Sequence, residues 1–352
     1  GQFKSTYIGD QELFPVKQDR WGIFIIIGFS FIVVPLIAND YWLQAILIPF
    51  LIFSLSALGL NLLTGYAGQL SLGTGGFMAV GAYSCYKLVT YLPETNIIIL
   101  ILISGFFSAG IGIIFGIPSL RIKGFYLAVA TLAAQFFFEW LFGRVQWFYN
   151  YNDSGAIEVP VRKLFNIIVT GPTSTTQARY MVVLCIVTFL ALVAVNIVRG
   201  KIGRAWMAIR DMDIAAELIG IRPLPTKLIA FAISSYYTGV AGALFVFTYL
   251  GSAEVEVFDV NLSFEILFMV IIGGLGSISG AFFGAAFIVL IPILISNLPR
   301  ILGFPINAAT VEHFNFMILG ALIVLFLIFE PHGLAKIWSI VREKFRVWPF
   351  PY

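Results

Sequence analysis

Residues 97–117 read IIILILISGFFSAGIGIIFGI and contain no charged side chain. A helix needs about 20 apolar residues to cross the hydrocarbon core of a bilayer, so this stretch predicts a membrane-spanning helix. The rest of the chain has the same character, because 60% of its 352 residues are hydrophobic and 11% are charged. A soluble domain is about 45–50% apolar and about 25% charged. Part of the surface of this chain must therefore face lipid.

The apolar stretches predict an all-α integral membrane protein with about ten transmembrane helices. Each stretch is close to the length that a helix needs to cross the bilayer. The third, eighth and ninth are rich in glycine, and the eighth is short. The ten candidate spans cover residues 22–38, 43–63, 70–90, 97–117, 125–142, 180–198, 228–250, 262–275, 281–297 and 314–329.

The distribution of basic residues predicts the orientation. Lysine and arginine concentrate on the cytoplasmic side of membrane proteins. With ten spans and an internal N-terminus, most of the 21 Lys and Arg residues fall on that side. Both termini are therefore expected in the cytoplasm. The expected parts are a cytoplasmic N-terminal segment 1–20, a transmembrane domain 21–334 with an external loop 143–179 and a cytoplasmic loop 199–227, and a cytoplasmic tail 335–352.

Two glycine-rich stretches occupy corresponding places in the two halves of the predicted transmembrane domain. Residues 64–77 read TGYAGQLSLGTGGF near the third span, and residues 273–285 read GGLGSISGAFFGA near the eighth. Halves of five spans must run in opposite directions, and inverted repeats of this kind are common in transporters. The sequence therefore predicts two inverted five-helix halves with glycine-broken helices in the core.

These stretches also suggest where a substrate could pass. Broken helices leave backbone N–H and C=O groups that can face a substrate in a water-filled cavity. We interpret them as parts of a translocation pathway, with close helix packing as an alternative. For Gly81, Gly110, Gly112 and Gly116, packing is the preferred interpretation. The candidate pathway residues are Asn61, Gly65, Gly68, Gln69, Ser71, Gly73, Thr74, Gly273, Gly274, Gly276 and Ser277.

The cytoplasmic loop 199–227 contains a short apolar helix. Asp211 or Asp213 can cap its N-terminus, and Gly220 and Pro223 can end it. A loop that merely connects two spans has no reason to be apolar, so this helix predicts contact with a partner.

The loop resembles the cytoplasmic coupling loop of ABC importer permeases, through DIAAELIG at 213–220 and GRAWMAIRD at 203–211. With LGLNLLTGYAGQLSLG at 58–73, the glycine stretch at 272–284 and EPHGL at 330–334, the chain is similar to branched-chain amino acid permeases of the LivM type. The resemblance extends over most of the chain. Three features depart from the pattern, and the first is the Ile-x-Leu-Pro tail of the loop, of which only Leu224-Pro225 remains. Ile214 stands where the loop usually carries Glu, and Thr74 where many relatives have His or Tyr.

The resemblance implies a permease subunit of an ABC importer for branched-chain amino acids in a bacterial inner membrane, with half of the translocation pathway in residues 21–334. The implied partners are a homologous second permease subunit, two ATP-binding subunits on the cytoplasmic side, an external substrate-binding protein and the lipid bilayer. Related permeases carry urea, short amides or aromatic carboxylates, which are alternative substrates. By analogy with the family, Ala215, Ala216 and Gly220 would be in close contact with an ATPase, and Arg204, Arg210 and Glu217 would lie at the rim. The resemblance thus implies these ATPase-coupling residues: Gly203, Arg204, Arg210, Ile214, Ala215, Ala216, Glu217 and Gly220.

The sequence offers no motif for catalysis. No G-x-x-x-x-G-K-[ST] phosphate loop occurs, so ATP and Mg²⁺ are expected on partner chains and no cofactor on this one. No catalytic or metal-ligating residue is assigned, and His313 and His332 fall at span ends on opposite sides. A net charge of +3 is too small to predict nucleic-acid binding.

Two other classes of membrane protein are alternatives. A membrane-embedded enzyme would need a catalytic pair, and none can be assembled from the sequence. An ion-coupled secondary transporter usually has an ionisable relay at mid-membrane. Here Glu139, Glu265 and Glu330 are expected near span ends, and local ion pairing is preferred over substrate contact for the first two. Cys85 and Cys185 lie in apolar runs and are expected to be small buried side chains.

Overall fold

The computed structural model describes residues 17–119, 125–164, 167–302 and 333–347, with helical positions 317–318, 320–322, 324–325 and 328. These residues are largely helical, and their few strands form two two-stranded sheets. Among them, seven helices are long and apolar enough to cross a membrane: Arg20–Ile37, Trp42–Tyr66, Ile97–Ile117, Tyr126–Arg144, Thr176–Arg199, Pro223–Leu250 and Ile278–Ile295. The all-α integral membrane class is confirmed.

Several helices include π-helical segments, which continue them without a break. The described helices are α1 (Lys17–Gly28, continued by Phe29–Val33 and Val34–Ile37), α2 (Ile48–Asn61, with Trp42–Leu47 before it and Leu62–Tyr66 after it), α3 (Thr74–Tyr91), α4 (Ile97–Ser119), α5 (Phe125–Arg144), α6 (Thr176–Arg199), α7 (Lys201–Asp211), α8 (Asp213–Leu218), α9 (Pro223–Leu244, continued by Phe245–Leu250), α10 (Val260–Gly273), α11 (Ile278–Leu302) and α12 (Leu334–Val347).

The two long helices α2 and α9 form the centre of the molecule. Most of the α2 span (83%) and of the α9 span (78%) is buried, whereas the α1 span has no buried residue. Small residues let α3 approach α9 closely, since a Cβ at Gly81 would overlap the backbone of Gly239. The packing role predicted for Gly81 is confirmed. At Gly112 a Cβ would overlap the side chain of Ser235, and at Gly116 it would lie 3.2 Å from Leu228, whereas at Gly110 it would meet no atom within 4 Å in this chain.

The third and eighth predicted spans are shorter in the structure than their predicted bounds or begin after a break, as the glycine-broken helices of the prediction require. α3 begins at Thr74, after the non-helical segment 67–73, and α10 has 14 residues and follows the irregular segment 251–259. At 1.5 Å per residue α10 is about 21 Å long, less than the roughly 30 Å of the hydrocarbon core. The tenth predicted span, 314–329, lies largely outside the described residues. The number ten therefore stays a prediction.

The helices α3 and α10 begin at the same point and run in opposite directions. The backbone N–H of Gly75 donates to Oγ of Ser263 at 2.8 Å, near the start of both helices. α10 ends beside Asn61, close to the end of α2. α3 instead ends near the loop 143–179, where Lys87 donates to Asn150. In one half, α2 is followed by a non-helical segment and then by α3. In the other half, α9, a non-helical segment and α10 follow in the same order but run in the opposite direction, as expected for inverted halves.

The loop 143–179 folds onto the end of the molecule where α9 finishes. Strand β1 (Ile157–Glu158) pairs antiparallel with β4 (Ser252–Ala253), and β2 (Arg162–Leu164) pairs with β3 (Ile167–Thr170). Arg162 also donates to the backbone oxygens of Val89, at 2.6 Å, and of Pro93. These strands were not predicted, because two to four residues are too few to show an alternating pattern.

Candidate translocation and coupling site

The broken region before α3 is held by side chains from two other helices. The N–H of Leu72 donates to Oγ1 of Thr131 at 2.9 Å, and the N–H of Gly76 donates to Oε1 of Gln135. With the bond from Gly75 to Ser263, these contacts satisfy backbone donors that a helix start leaves without an intrahelical partner. Side chains of α5 and α10 therefore allow α3 to begin inside the protein.

Gln135 connects the starts of both short helices. Its side chain is fully buried, and Nε2 donates to the backbone oxygen of Phe258 at 2.5 Å and to Oε1 of Glu139 at 2.9 Å. Its Oε1 also accepts from Oγ of Ser263 at 3.1 Å. One amide on α5 thus contacts the N-terminal region of α3 and the residues that precede and begin α10. This arrangement fixes the point where the two inverted elements meet.

Two predicted pathway residues have hydrogen-bonding groups without a partner. Gln69 is 4% exposed and Thr74 is 2% exposed. Both amide atoms of Gln69 and the hydroxyl of Thr74 lack a hydrogen-bond partner among the described residues. Buried polar side chains are nearly always paired, so such a group needs an explanation such as a bound water or ligand. Gln69 lies within the irregular stretch 67–73, and Thr74 is the first residue of α3.

A second junction joins the end of α2 to the turn between α10 and α11. Asn61 is fully buried, and its Oδ1 accepts from the N–H of Gly276 at 2.9 Å. Its Nδ2 donates to the backbone oxygens of Ser277, at 2.7 Å, and of Gly274, at 3.4 Å. A single amide side chain therefore holds the two glycine-rich stretches together. The structure brings these four predicted pathway residues into one cluster.

The glycines of this junction are required by space and by backbone conformation. Gly274 and Gly276 have φ values of 115° and 72°, in the region that L side chains rarely adopt. A Cβ at Gly65 would overlap the side chain of Asn61 and the backbone of Gly276. Close packing of the helices therefore explains the glycines of this junction. It does not account for Gln69 and Thr74.

The loop 199–227 contacts the same junction through Arg210. Its Nη1 donates to the backbone oxygen of Gly65 at 2.8 Å, and its Nε and Nη2 contact Oδ1 of Asp211 at 3.0 Å. A Cβ at Gly68 would lie 2.8 Å from Cγ of Arg210. We expected this guanidinium at the rim of a partner contact. The structure instead directs it to the end of α2.

The preceding helix α7 is anchored to the membrane helices. Trp206 is fully buried, and its Nε1 donates to the backbone oxygen of Thr226 at 3.1 Å. A Cβ at Gly203 would overlap the backbone of Val198, so Gly203 serves internal packing. Arg204 is exposed and donates to the backbone oxygen of Arg199 at 3.0 Å. α7 therefore holds Arg210 and the following helix in place.

The short helix α8 presents a large apolar surface outside the membrane spans. Ala216 is 2% exposed and faces the interior of the chain, which contradicts its expected place on the contact surface. Ala215, Glu217 and Gly220 are exposed. The large exposed side chains at this helix are Ile214 (69%), Leu218 (84%) and Ile219 (75%). The N-cap position is Met212 rather than Asp211 or Asp213.

Residues 42–327 match the family model described as branched-chain amino acid transport system / permease component. The chain belongs to this family. It is 29% identical over 310 residues to the high-affinity branched-chain amino acid transport system permease proteins LivM of Salmonella typhimurium and Escherichia coli, covering 81% of this chain and 68% of each relative. A third relative, from Methanocaldococcus jannaschii, is 23% identical over 335 residues, covering 83% of this chain and 92% of that protein. No solved structure matches significantly.

Sequence reasoning missed the side chains of the permease that hold its broken helices. Thr131, Gln135 and Glu139 follow one another at intervals of four in α5 and therefore lie on one face of that helix. Three polar residues with this spacing in an otherwise apolar span were a usable signal. Ser263 gave no comparable signal, because its contact with Gly75 joins two distant parts of the chain.

The carboxylates and cysteines of the permease partly differ from expectation. Glu139 accepts a hydrogen bond from Gln135, and no ion pair was found for it among the described residues. Glu265, expected near a span end, lies in the second turn of α10, whose start packs against the middle of α5. Cys85 is buried as expected, whereas Cys185 is exposed. Glu330, His313 and His332 lie outside the described residues. In the described part of the chain, no His, Cys, Asp and Glu side chains are grouped to hold a metal.

Proposed function

We propose that this chain is the permease subunit of an ABC importer for branched-chain amino acids and forms half of the translocation pathway. The observation that carries the proposal is the buried stretch with the unpaired polar groups of Gln69 and Thr74, which connects through Arg210 to an exposed apolar helix. The names of the bacterial relatives support the choice of substrate.

The pathway is proposed at the break between α2 and α3. Gln69 and Thr74 offer an amide and a hydroxyl that can bond a zwitterionic amino acid. α3 begins here, and a helix N-terminus carries partial positive charge that favours a carboxylate. Ser71 and Gly73 belong to the same stretch. A Cβ at Gly73 would lie 2.5 Å from the backbone oxygen of Thr131. Movement of this stretch would open the buried groups to substrate.

The ATP-binding subunits are proposed to act on the permease through α8. Its exposed side chains Ile214, Leu218 and Ile219 would dock on a cytoplasmic ATP-binding subunit, which holds ATP and Mg²⁺. This chain itself would bind no cofactor. The assembly would include two such subunits, a homologous second permease and an external substrate-binding protein that docks near the loop 143–179. In this topology both termini lie in the cytoplasm of a cell with an inner membrane.

Arg210 is proposed to transmit movement of α8 to the pathway. Replacing Arg210 with glutamine should lower uptake about tenfold, because a neutral amide cannot reproduce the charge-assisted bond to the oxygen of Gly65. Arg210→Lys keeps the charge and should retain more uptake. Uptake and ATP hydrolysis would be measured on the purified complex in liposomes. Hydrolysis should continue in the glutamine variant, and equal uptake in both variants and the parent protein would refute this role.

Uptake of labelled leucine by cells with and without this gene tests the proposed function. Deletion should abolish high-affinity uptake, and a hydrolysis-dead variant of the partner ATPase should do the same. Unlabelled isoleucine and valine should compete, while urea, short amides and aromatic carboxylates should not. Unchanged leucine uptake after deletion would refute the substrate. Uptake that survives the loss of ATP hydrolysis would instead favour an ion-coupled transporter.

A further inference from the structure

Glu265 lies near the middle of the membrane domain. Ser263, two residues earlier on α10, contacts Gln135 at 3.1 Å. Gln135 is close to the centre of α5, which runs for 20 residues from Phe125 to Arg144. Such a helix is about 30 Å long, so its centre coincides with the middle of the hydrocarbon core. A carboxylate on the next half-turn of α10 is therefore at nearly the same depth.

This carboxylate lies on the outer surface of the isolated chain. Glu265 and Asn261 are both exposed and are one turn apart on α10, so they share a face. Phe264 and Phe268 border them with rings stacked at 6.3 Å. Neither an ion pair nor a hydrogen bond of the Glu265 carboxylate was found within the described part of the chain. Asn261 bonds Asp259 at 2.6 Å, on the same side of the helix.

Other exposed faces of the membrane helices are apolar at comparable depth. α1 exposes Ile25, Ile26 and Ile32, α4 exposes Phe106 and Phe107, and α6 exposes Cys185 and Phe189. Those faces suit lipid. A charged side chain at the bilayer centre costs about 2.5–3.5 kcal/mol on insertion scales, and such residues nearly always face a protein interior or water. The face of α10 therefore cannot be a lipid surface.

We propose that the face formed by Asn261, Phe264, Glu265 and Phe268, here called the α10 face, meets the second permease subunit across a water-filled pathway. This inference rests on the proposed function, which supplies a homologous second permease at membrane depth. Water in the pathway solvates Glu265 and Asn261. The two phenylalanines lie one turn apart beside them and contact the partner. Glu265 thereby adds a negative charge to the pathway, opposite in sign to the helix N-termini beside Thr74, and suits the ammonium group of an amino acid.

Cysteine labelling in the assembled transporter tests the water-filled pathway. Asn261→Cys is introduced with Cys85→Ala and Cys185→Ala, and a matched control keeps the native Cys185 with Cys85→Ala alone. A membrane-impermeant maleimide should label the thiol introduced at position 261 about tenfold faster or more, since the reactive thiolate forms in water and not in lipid. Equal rates at the two positions would overturn the proposal. Labelling does not depend on which substrate is carried, so it can succeed even if leucine uptake fails.

A photoreactive phenylalanine analogue tests the proposed partner. At position 268 it should cross-link to the second permease in native membranes, and at position 189 on α6 it should give lipid adducts. A subunit adduct at 189 but not at 268, or lipid adducts at both positions, would overturn the proposal. Membrane levels of each variant, measured by immunoblot, exclude failure to fold.

Discussion

Replacing Leu218 with aspartate should abolish transport while leaving the permease in the membrane. Leu218 is 84% exposed on α8, and Ile219 beside it is 75% exposed. Burying a leucine side chain at an interface contributes about 1.5–3 kcal/mol, and burying an unpaired carboxylate adds a further cost. Docking of the ATP-binding subunit should therefore weaken by more than about 100-fold, and uptake should fall by at least about tenfold.

A second exposed position separates a docking defect from a folding defect. Ile202→Asp is the matched control, because Ile202 is 41% exposed on α7 and is outside the α8 surface. The control should keep near-normal uptake and should still co-purify with the ATP-binding subunit. The Leu218 variant should reach the same membrane level and lose the subunit. Normal uptake by Leu218→Asp would show that α8 is not the docking surface.

Composition was sufficient to predict the class of this fold, because hydropathy is a property of local sequence. The spans at 97–117, 180–198 and 228–250 correspond to long helices of the structure. The spans at 70–90 and 262–275 were predicted less well. Their helices start inside the protein because Gln135 and Ser263 satisfy the backbone there. Bonds of this kind join positions far apart in sequence, and no periodic pattern reveals them.

Tertiary contacts also limited what the sequence could predict for the loop 199–227. Its helix and its end were predicted, and Gly220 has a φ of 91° and donates to the backbone oxygen of Glu217. The sequence did not predict which residues of this helix face outward. Six residues give fewer than two turns, which is too little to define an apolar stripe. Ala216 therefore faces inward, and Leu218 faces outward, for tertiary reasons that the sequence does not display.

For the predicted pathway, the sequence identified which residues cluster better than it identified what each of them does. Asn61 was included because it precedes the glycine stretch, and the structure gives it a structural function between two distant segments. Gln69 and Thr74 are the pathway residues whose buried polar groups stay without a partner in the described part of the chain. The distinction depends on which polar atoms find a partner after folding. That information is three-dimensional, so residue type alone could not separate the junction from the proposed pathway.

Replacing Asn61 with alanine should destabilise the permease and nearly abolish uptake. The change removes the acceptor of the Gly276 N–H and the donor to the oxygens of Ser277 and Gly274. Each buried group left unpaired costs about 1–3 kcal/mol, so the total loss should be about 2–4 kcal/mol after partial relaxation. The melting temperature in detergent and leucine uptake in liposomes measure the two effects. Asn61→Asp keeps the shape and the acceptor, but places a charge against two carbonyl oxygens, so it should be at least as damaging.

The control for Asn61 lies on the same helix and is equally buried. Ser54 is fully buried in α2, but its hydroxyl donates at 2.6 Å to the oxygen of Phe50 one turn earlier. Ser54→Ala should therefore be nearly neutral, since the helix already satisfies that oxygen. If Asn61→Ala melted at the same temperature as Ser54→Ala, the junction would not hold the two halves together. A large difference would show that one side chain links the glycine-rich stretches of both halves. Because Arg210 donates to the backbone oxygen of Gly65 at this junction, the junction lies between α8 and the proposed pathway.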